Sequence, residues 1–420
     1  MRASDTTEIA TSMTRAYINR LEGKLSAYRS ELSEELQSIL DYWMKHTLDE
    51  SHGGFVGRID HDNKIDPFAP KGSVLNSRIL WSFSSAFLQT NRKEYLEVAE
   101  RAFEYLLAHF IDEENGGVCW TVDYKGKLLD TKKQIYAQAF AVYGLSEYYK
   151  ASQNEVAKLT AINLYHEIAE NSYEKKYGGY IEALSREWKG SDDLRLSAKD
   201  ANERKSMNTH LHILEAYANL YGLWPDEKLK EEIKELIHLF LDHIISKETY
   251  HLNLFFDDEW NVKSKLISYG HDIEAAWLIP EAATIIGDKM LLQQVNNRAI
   301  LLTNAAAKGL DGDGGLWYEF DVEKRKLIKQ KHWWPQAEAM VGFFYAWQTS
   351  GDEKFLEQSI KSWHFVQKYI KDNQNGEWKW GVYDDQLTMN NEDKVGIWKC
   401  PYHNSRACLE IMKRIDSLLQ

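Results

Sequence analysis

Hydrophobic residues recur along the chain in two alternating modes. Segments such as QIYAQAFAVYGLSEYY from Gln134, SMNTHLHILEAYANLY from Ser206 and WWPQAEAMVGFFYAW from Trp333 are long enough for helices and rich in apolar residues. Others, such as EYLEVAERAFEYLLAHF from Glu94 and EKLKEEIKELIHLFLDHII from Glu227, confine their apolar positions to one stripe and predict helices with one wet face. Between them lie double glycines followed by a short aromatic or β-branched run. These read HGGFVGRID from His52, NGGVCWTVD from Asn115, YGGYIEALS from Tyr177 and DGGLWYEFD from Asp313, with a degenerate copy, NGEWKWGVYDD, from Asn375. Gly–Gly supplies the positive φ of a tight turn, so each run predicts a short hairpin or extended loop.

The spacing of these runs sets the architecture. From Gly53 to Gly116 is 63 residues, from Gly116 to Gly178 is 62, and from Gly314 to Gly376 is 62 again. The gap from Gly178 to Gly314 is 136 residues, and near its middle HLNLFFDDEWNV from His251 supplies the strand-like run without the glycines. Six units of two helices each predict an all-α fold: an (α/α)6 barrel of six inner and six outer helices, with short β-hairpin loops on one face. An open helical array is the alternative, but no polar capping repeat marks either end. No linker divides the chain, which reads as one catalytic domain, residues 1–420, with about 1–20 as an N-terminal extension. The longest irregular piece, from Leu184 to Lys205, reads equally as a lid over a cavity or as a solvated loop.

Composition narrows the ligand. Fifty-one basic against 64 acidic side chains give a formal charge of −13, which argues against nucleic acid or an anionic membrane as partner. Fifteen Trp, 23 Tyr and 15 Phe suit the flat C–H faces of sugar rings, although most aromatics in such a fold fill helix seams. The N-terminus lacks the apolar core of a secretory signal, and no stretch approaches the roughly 18 apolar residues of a membrane span. Cys119, Cys400 and Cys408 form no CxxC pair. These features predict a cytoplasmic protein.

The candidate chemistry sits where the inner helices begin. Arg78, Gln138, Asn208, His210, His212, His271, Glu274, Gln336, Glu338, His403 and Arg406 all lie near predicted helix starts, and those starts share one face of the barrel. One histidine there is ordinarily a cap or a satisfied core group. Several at one phase predict proton transfer near neutral pH. His210 and His212, two apart on a helix, point away from each other and cannot chelate one ion. His271 and Glu274 share a face as i and i+3, so the carboxylate is expected to orient the imidazole. DGDGG from Asp311 lacks the terminal glutamate of a calcium loop. A glycoside hydrolase on the same barrel would need two flanking carboxylates, for which Asp200, Glu274, Glu338 and Asp385 are candidates. A carbohydrate-binding protein would leave the histidines idle.

With these residues assembled, the chain resembles the N-acylglucosamine 2-epimerase superfamily and, within it, the cellobiose 2-epimerases. The resemblance runs from about Leu32 to the C-terminus and is carried by NSRILWSFS, NTHLHILEAY, YGHDIEAAWL, WWPQAEAMVGFF and GIWKCPYHNSRACLE. It implies reversible epimerisation at C2 of the reducing-end glucose of β-1,4-linked disaccharides, cellobiose to glucosyl-mannose and lactose to epilactose. N-acylglucosamine 2-epimerase or mannose isomerase activity is the alternative. It further implies catalysis by His271, His403 and His212. Arg78, Tyr136, Asp200, Asn208, Glu274, Trp333, Trp334 and Trp398 would bind the sugar, and Arg78 and His212 would donate charge-assisted hydrogen bonds to the enediolate oxygens. No metal and no cofactor is implied. The expected partner is the small disaccharide alone, with the protein a monomer or weak homodimer.

Overall fold

The computed structural model describes residues 15–420, and its twelve helices form two concentric rings. The inner ring consists of α2 (Ser73–Thr90), α4 (Ile135–Ser152), α6 (Met207–Tyr221), α8 (Tyr269–Ile285), α10 (Trp333–Ser350) and α12 (Tyr402–Leu419). The outer ring consists of α1 (Arg15–His46), α3 (Lys93–His109), α5 (Glu155–Asn171), α7 (Glu227–Leu239), α9 (Lys289–Ala306) and α11 (Glu353–Phe365). Each inner helix packs on the next, and α12 returns to α2, so the ring closes. This is the expected (α/α)6 barrel. Among the described residues, no helix is long and apolar enough to cross a membrane.

Burial explains the two hydrophobic modes. The inner helices are covered on both sides; from Ile135 to Tyr148 every residue of α4 is buried. In α7 the buried residues Leu229, Ile233, Leu236, Ile237 and Leu239 form one stripe against the inner ring. Four of the outer helices begin with side-chain caps: Asn154 for α5, Asp226 for α7, Asp288 for α9 and Asp352 for α11. Four inner helices instead lend their first N–H to the hairpin of the following unit. Ser73, Ile135, Met207 and Trp333 donate to the carbonyls of Trp120, Glu182, Leu254 and Trp380.

The hairpin loops are sewn together in the same sense. The short strand before one inner helix pairs antiparallel with the loop of the next unit, as Lys133–Gln134 does with Ala183–Leu184 and Gln330–His332 with Gly381–Tyr383. A bridge from Ile59 to Val395 joins the first unit to the last. The second glycine of a pair is where an aromatic seals this seam. A Cβ on Gly117, at φ +70°, would lie 2.5 Å from the Trp188 ring, and one on Gly179, at φ +83°, 2.5 Å from Trp260.

Beneath most of these seams lies a buried ion pair. Lys133 Nζ donates to Asp112 at 3.0 Å and to the Gly116 carbonyl at 2.6 Å. Lys71 repeats the contact with Asp49 and Gly53, and Lys331 does so with Asp311 and Asp313. In the fourth unit the position falls on Ile267 and the clamp is missing; in the sixth, Lys394 reaches Asp372 and Gly376 from a different place in sequence.

One expectation fails here. Of the first twenty residues, read as an extension, 15–20 form the opening turns of α1, while 1–14 lie outside the described residues. α1 packs on α12 and supplies the sixth outer helix.

Candidate functional site

A cavity of about 410 Å³ opens at the N-terminal mouth of the inner ring. All eleven residues expected to act there line it: His271, His403, His212, Arg78, Tyr136, Asp200, Asn208, Glu274, Trp333, Trp334 and Trp398. The wall also holds residues that the sequence did not single out for the site, namely Tyr318, His332, Trp380, Glu392 and the stretch Leu196–Lys199. That stretch, with Asp200, belongs to the long irregular segment, so part of the segment borders the cavity. Asp200 itself accepts hydrogen bonds from the Ser197 N–H at 2.8 Å and hydroxyl at 2.9 Å.

Helix phase decides which polar residues reach the cavity. Gln138, His210, Asp272 and Gln336 do not: each accepts the backbone N–H of a hairpin residue, Val118, Tyr180, Leu252 and Leu316 respectively. They anchor the loops. Two residues further on, Phe140, His212, Glu274 and Glu338 turn towards the axis and meet Arg78 and Arg406 from the first and sixth units. Arg78, Gln138, His212, His271, Glu338 and His403, one from each unit, therefore do not share a single helix phase.

Each of the three histidines is held by Nδ1. His403 Nδ1 lies 2.7 Å from Glu338 Oε1, His212 Nδ1 2.9 Å from Glu215 Oε2, and His271 Nδ1 2.7 Å from Ser268 Oγ. Their Nε2 atoms have no hydrogen-bond partner among the described residues. Glu274 does not orient His271 as expected: its carboxylate is taken by Arg406 at 2.7 Å and stands 4.0 Å from His403 Nδ1. Trp334 packs against both His271 and His403, with ring centroids 4.7 and 5.7 Å away.

Burial governs the charges. It pushes His271 down to about 3, and it lowers His212 and His403, the latter helped by Arg78 and Arg406. The imidazoles are thus neutral at pH 7. Burial and then Glu338 raise Glu274 against the pull of Arg406, and burial raises Glu338 too, so the two neighbouring carboxyls resist joint ionisation. The two arginines differ in kind. Arg406 meets Glu215, Glu274 and Glu338. Arg78, 3% exposed, has the Tyr136 hydroxyl at 2.6 Å and the faces of Phe140 and Tyr402, and among the described residues no carboxylate within ion-pair distance. Its Nε and the Asn208 Oδ1 are buried without a partner. The cavity floor therefore carries an uncompensated cation and an orphan acceptor, both suited to an oxygen-rich ligand.

Glu274, Glu338 and His403 bring ligand atoms within 4.8 Å of one another, as a metal site would. Arg406 Nη2 lies 2.7 and 2.6 Å from the two carboxylates, however, and so holds the place a cation would take. The hydrolase alternative fares no better. Glu274 and Glu338 converge on this one guanidinium instead of flanking a space, and Asp385 sits on an exposed turn outside the cavity.

Comparison with known proteins identifies the family. Residues 53–407 match the family model of N-acylglucosamine 2-epimerase. The chain is 46% identical to a cellobiose 2-epimerase of Bacteroides fragilis over 91% of its own length and 98% of the relative's. A second cellobiose 2-epimerase, from Dictyoglomus turgidum, is 40% identical over 93% of this chain and 100% of the relative. The solved structure of cellobiose 2-epimerase from Spirochaeta thermophila superposes with a TM-score of 0.90 at 36% identity, covering 95% of this chain and 99% of that one. The chain belongs to the N-acylglucosamine 2-epimerase family and is a carbohydrate epimerase, an isomerase.

Proposed function

We propose that the protein reversibly inverts C2 of the reducing-end glucose of β-1,4-linked disaccharides, turning cellobiose into glucosyl-mannose and lactose into epilactose. The observation that carries the reading is a set of neutral histidines, each held by Nδ1, beside an arginine with no carboxylate of its own. The similarity to enzymes named for cellobiose supports the choice of substrate. The aromatic wall of Trp333, Trp334, Trp380 and Trp398 suits stacked sugar rings better than it suits a small free monosaccharide. The chain works as one catalytic domain.

The chemistry follows from where acidity arises. The C2 hydrogen becomes acidic only when the hemiacetal opens and an aldehyde stands beside it. One neutral imidazole, His271 or His403, then takes the C2 proton and leaves a planar enediolate. Arg78 faces the developing oxyanion with a charge that nothing else in the wall neutralises. The other imidazole, having taken the hemiacetal hydroxyl proton as the ring opened, delivers it to the opposite face of C2 and inverts it, and the first imidazole gives its proton back to that oxygen as the ring closes. A base for each face is therefore required, and the reverse reaction exchanges their roles. The Glu274–Glu338 pair, whose carboxyls are both raised beside His403, is the nearest acid for the ring oxygen on opening and takes that proton back on closure. Every step is proton transfer, so the chain's own residues suffice. Protonation at C1 instead of C2 would give the ketose as a side product.

The test is proton NMR of cellobiose and lactose incubated with the EDTA-treated protein in D2O. Mannose-type reducing-end signals with deuterium at C2 are expected. Release of free glucose would overturn the reading in favour of hydrolysis. Unchanged disaccharides, with turnover of N-acetylglucosamine or mannose, would overturn the substrate assignment.

A further inference from the structure

Behind His212, and not itself in the cavity wall, lies a carboxylate that this mechanism leaves unused. Glu215 stands on α6 one turn beyond His212, as an i, i+3 pair. Its Oε2 lies 2.9 Å from His212 Nδ1; both its oxygens accept from the Tyr402 hydroxyl at 2.7 Å; and Arg406 Nη1 donates to Oε1. Burial pushes Glu215 up, but Arg406, His212 and Tyr402 outweigh it and bring the carboxyl down to about 2. It is therefore ionised at neutral pH and can only accept hydrogen bonds. The hydrogen shared with His212 must then sit on Nδ1. The imidazole is wedged edge-on against Tyr136, with centroids 5.0 Å apart, and against Phe140 at 4.7 Å. Both rings oppose a flip of the imidazole.

We infer that Glu215 is a positioning residue: it fixes His212 in the Nδ1–H tautomer, so that the free Nε2 lone pair accepts a hydrogen bond from a sugar hydroxyl. This reverses the polarity expected from sequence, where His212 was to donate to the enediolate alongside Arg78. The division of labour becomes Arg78 for an oxygen that gains charge and His212 for an oxygen that still carries its hydrogen. A sugar whose hydroxyl at that point is replaced by fluorine, which accepts but cannot donate, would be turned over poorly. The inference rests on the reading of the cavity as a sugar site only for the identity of the bound hydroxyl, not for the tautomer.

The deciding experiment is nitrogen NMR of protein labelled with 15N-histidine, with the His212 signals assigned by their loss in His212→Asn. At pH 7 the wild type is expected to show a protonated Nδ1 and a lone pair on Nε2. Glu215→Gln is expected to shift this towards a tautomer mixture and lower kcat about 10- to 100-fold with KM little changed. The Glu215→Gln/His212→Asn double variant should lose no more than His212→Asn alone, because Glu215 acts through His212. A wild-type His212 protonated on Nε2 overturns the inference, and so does a double variant whose loss is the product of the single losses. The tautomer is read without substrate, so it holds or fails separately from the epimerase reading. It also remains decisive in wild-type protein if Glu215→Gln does not fold.

Discussion

An imidazole exchanges protons with carbon usefully only when it is neutral, fixed in direction and next to a group that tolerates the charge it leaves behind. His271 and His403 meet the first condition by burial and the second through Ser268 and Glu338. Replacing either by Asn keeps a polar group near the partner and leaves Trp334 itself in place, at the loss of one ring contact. His271→Asn or His403→Asn is expected to lower inversion about 10²- to 10⁴-fold without lowering the melting temperature by more than a few degrees. With one base left, each variant should still wash deuterium from D2O into C2 of one epimer, and the two variants should favour opposite epimers. Near-normal inversion by either variant would remove that residue from the two-base pair. The site was largely legible in sequence, because polar side chains at the starts of otherwise apolar helices need a reason. The partners were less so. Glu338 was visible at a helix start but not tied to His403 across the barrel, and Glu274 was assigned to its i, i+3 neighbour when Arg406, 132 positions away, takes it. Local spacing cannot see such contacts.

At the scale of the element, the start of α6 shows how buried charge couples to stability. Glu182, in the hairpin before it, accepts from the Ser206 and Thr209 hydroxyls at 2.6 and 2.8 Å, and burial lifts its carboxyl to about 7. A carboxyl raised on folding favours the folded state fully below its unfolded value near 4.5 and loses that contribution as pH climbs towards 7. Glu182→Gln removes the charge and keeps an acceptor. It should raise the melting temperature at pH 8 and have less effect at pH 5; an equal shift at both would show that the carboxyl titrates normally. The lysine clamps act in the other sense. Asp372 is held down by Lys394 and by the N–H groups of Gln374 and Asn375 although burial opposes this. Lys394→Met would strand a carboxylate under the sixth seam and cost about 3 kcal/mol, measured by denaturant unfolding. The hairpins were legible from their glycines. Their pairing, strand to the next unit's loop, was not, because a two-residue strand carries no register signal.

The whole molecule is a ring, and a ring needs as many outer helices as inner ones. Read from the first double glycine, the repeat ends on α12 with no helix to cover it, and the sequence gives no period by which to enlist α1 from the other end of the chain. Its task is visible only in space. Glu35, 2% exposed in the middle of α1, accepts from the Trp378 indole at 2.8 Å and pairs with Lys371. Trp43 donates to Glu377, and Glu377 also holds Lys399 and Asn404, the latter next to His403 in sequence. An unbroken line of contacts thus runs from the first helix to the start of the last, where His403 lies. Deletion of residues 15–46 would expose the outer face of α12 and leave Glu377 without its indole donor. Such a truncation is expected to yield no active monomer, with aggregation on size exclusion. A milder break, Trp43→Phe, removes the indole N–H and keeps most of the ring's bulk. It should lower stability by about 1 to 3 kcal/mol, the cost of one buried carboxylate oxygen left unpaired, and it should lower kcat as well if Glu377 steadies the start of α12. Stability lost with kcat untouched would confine α1 to closing the ring; loss of both would make the seam between the chain's two ends part of what aims His403.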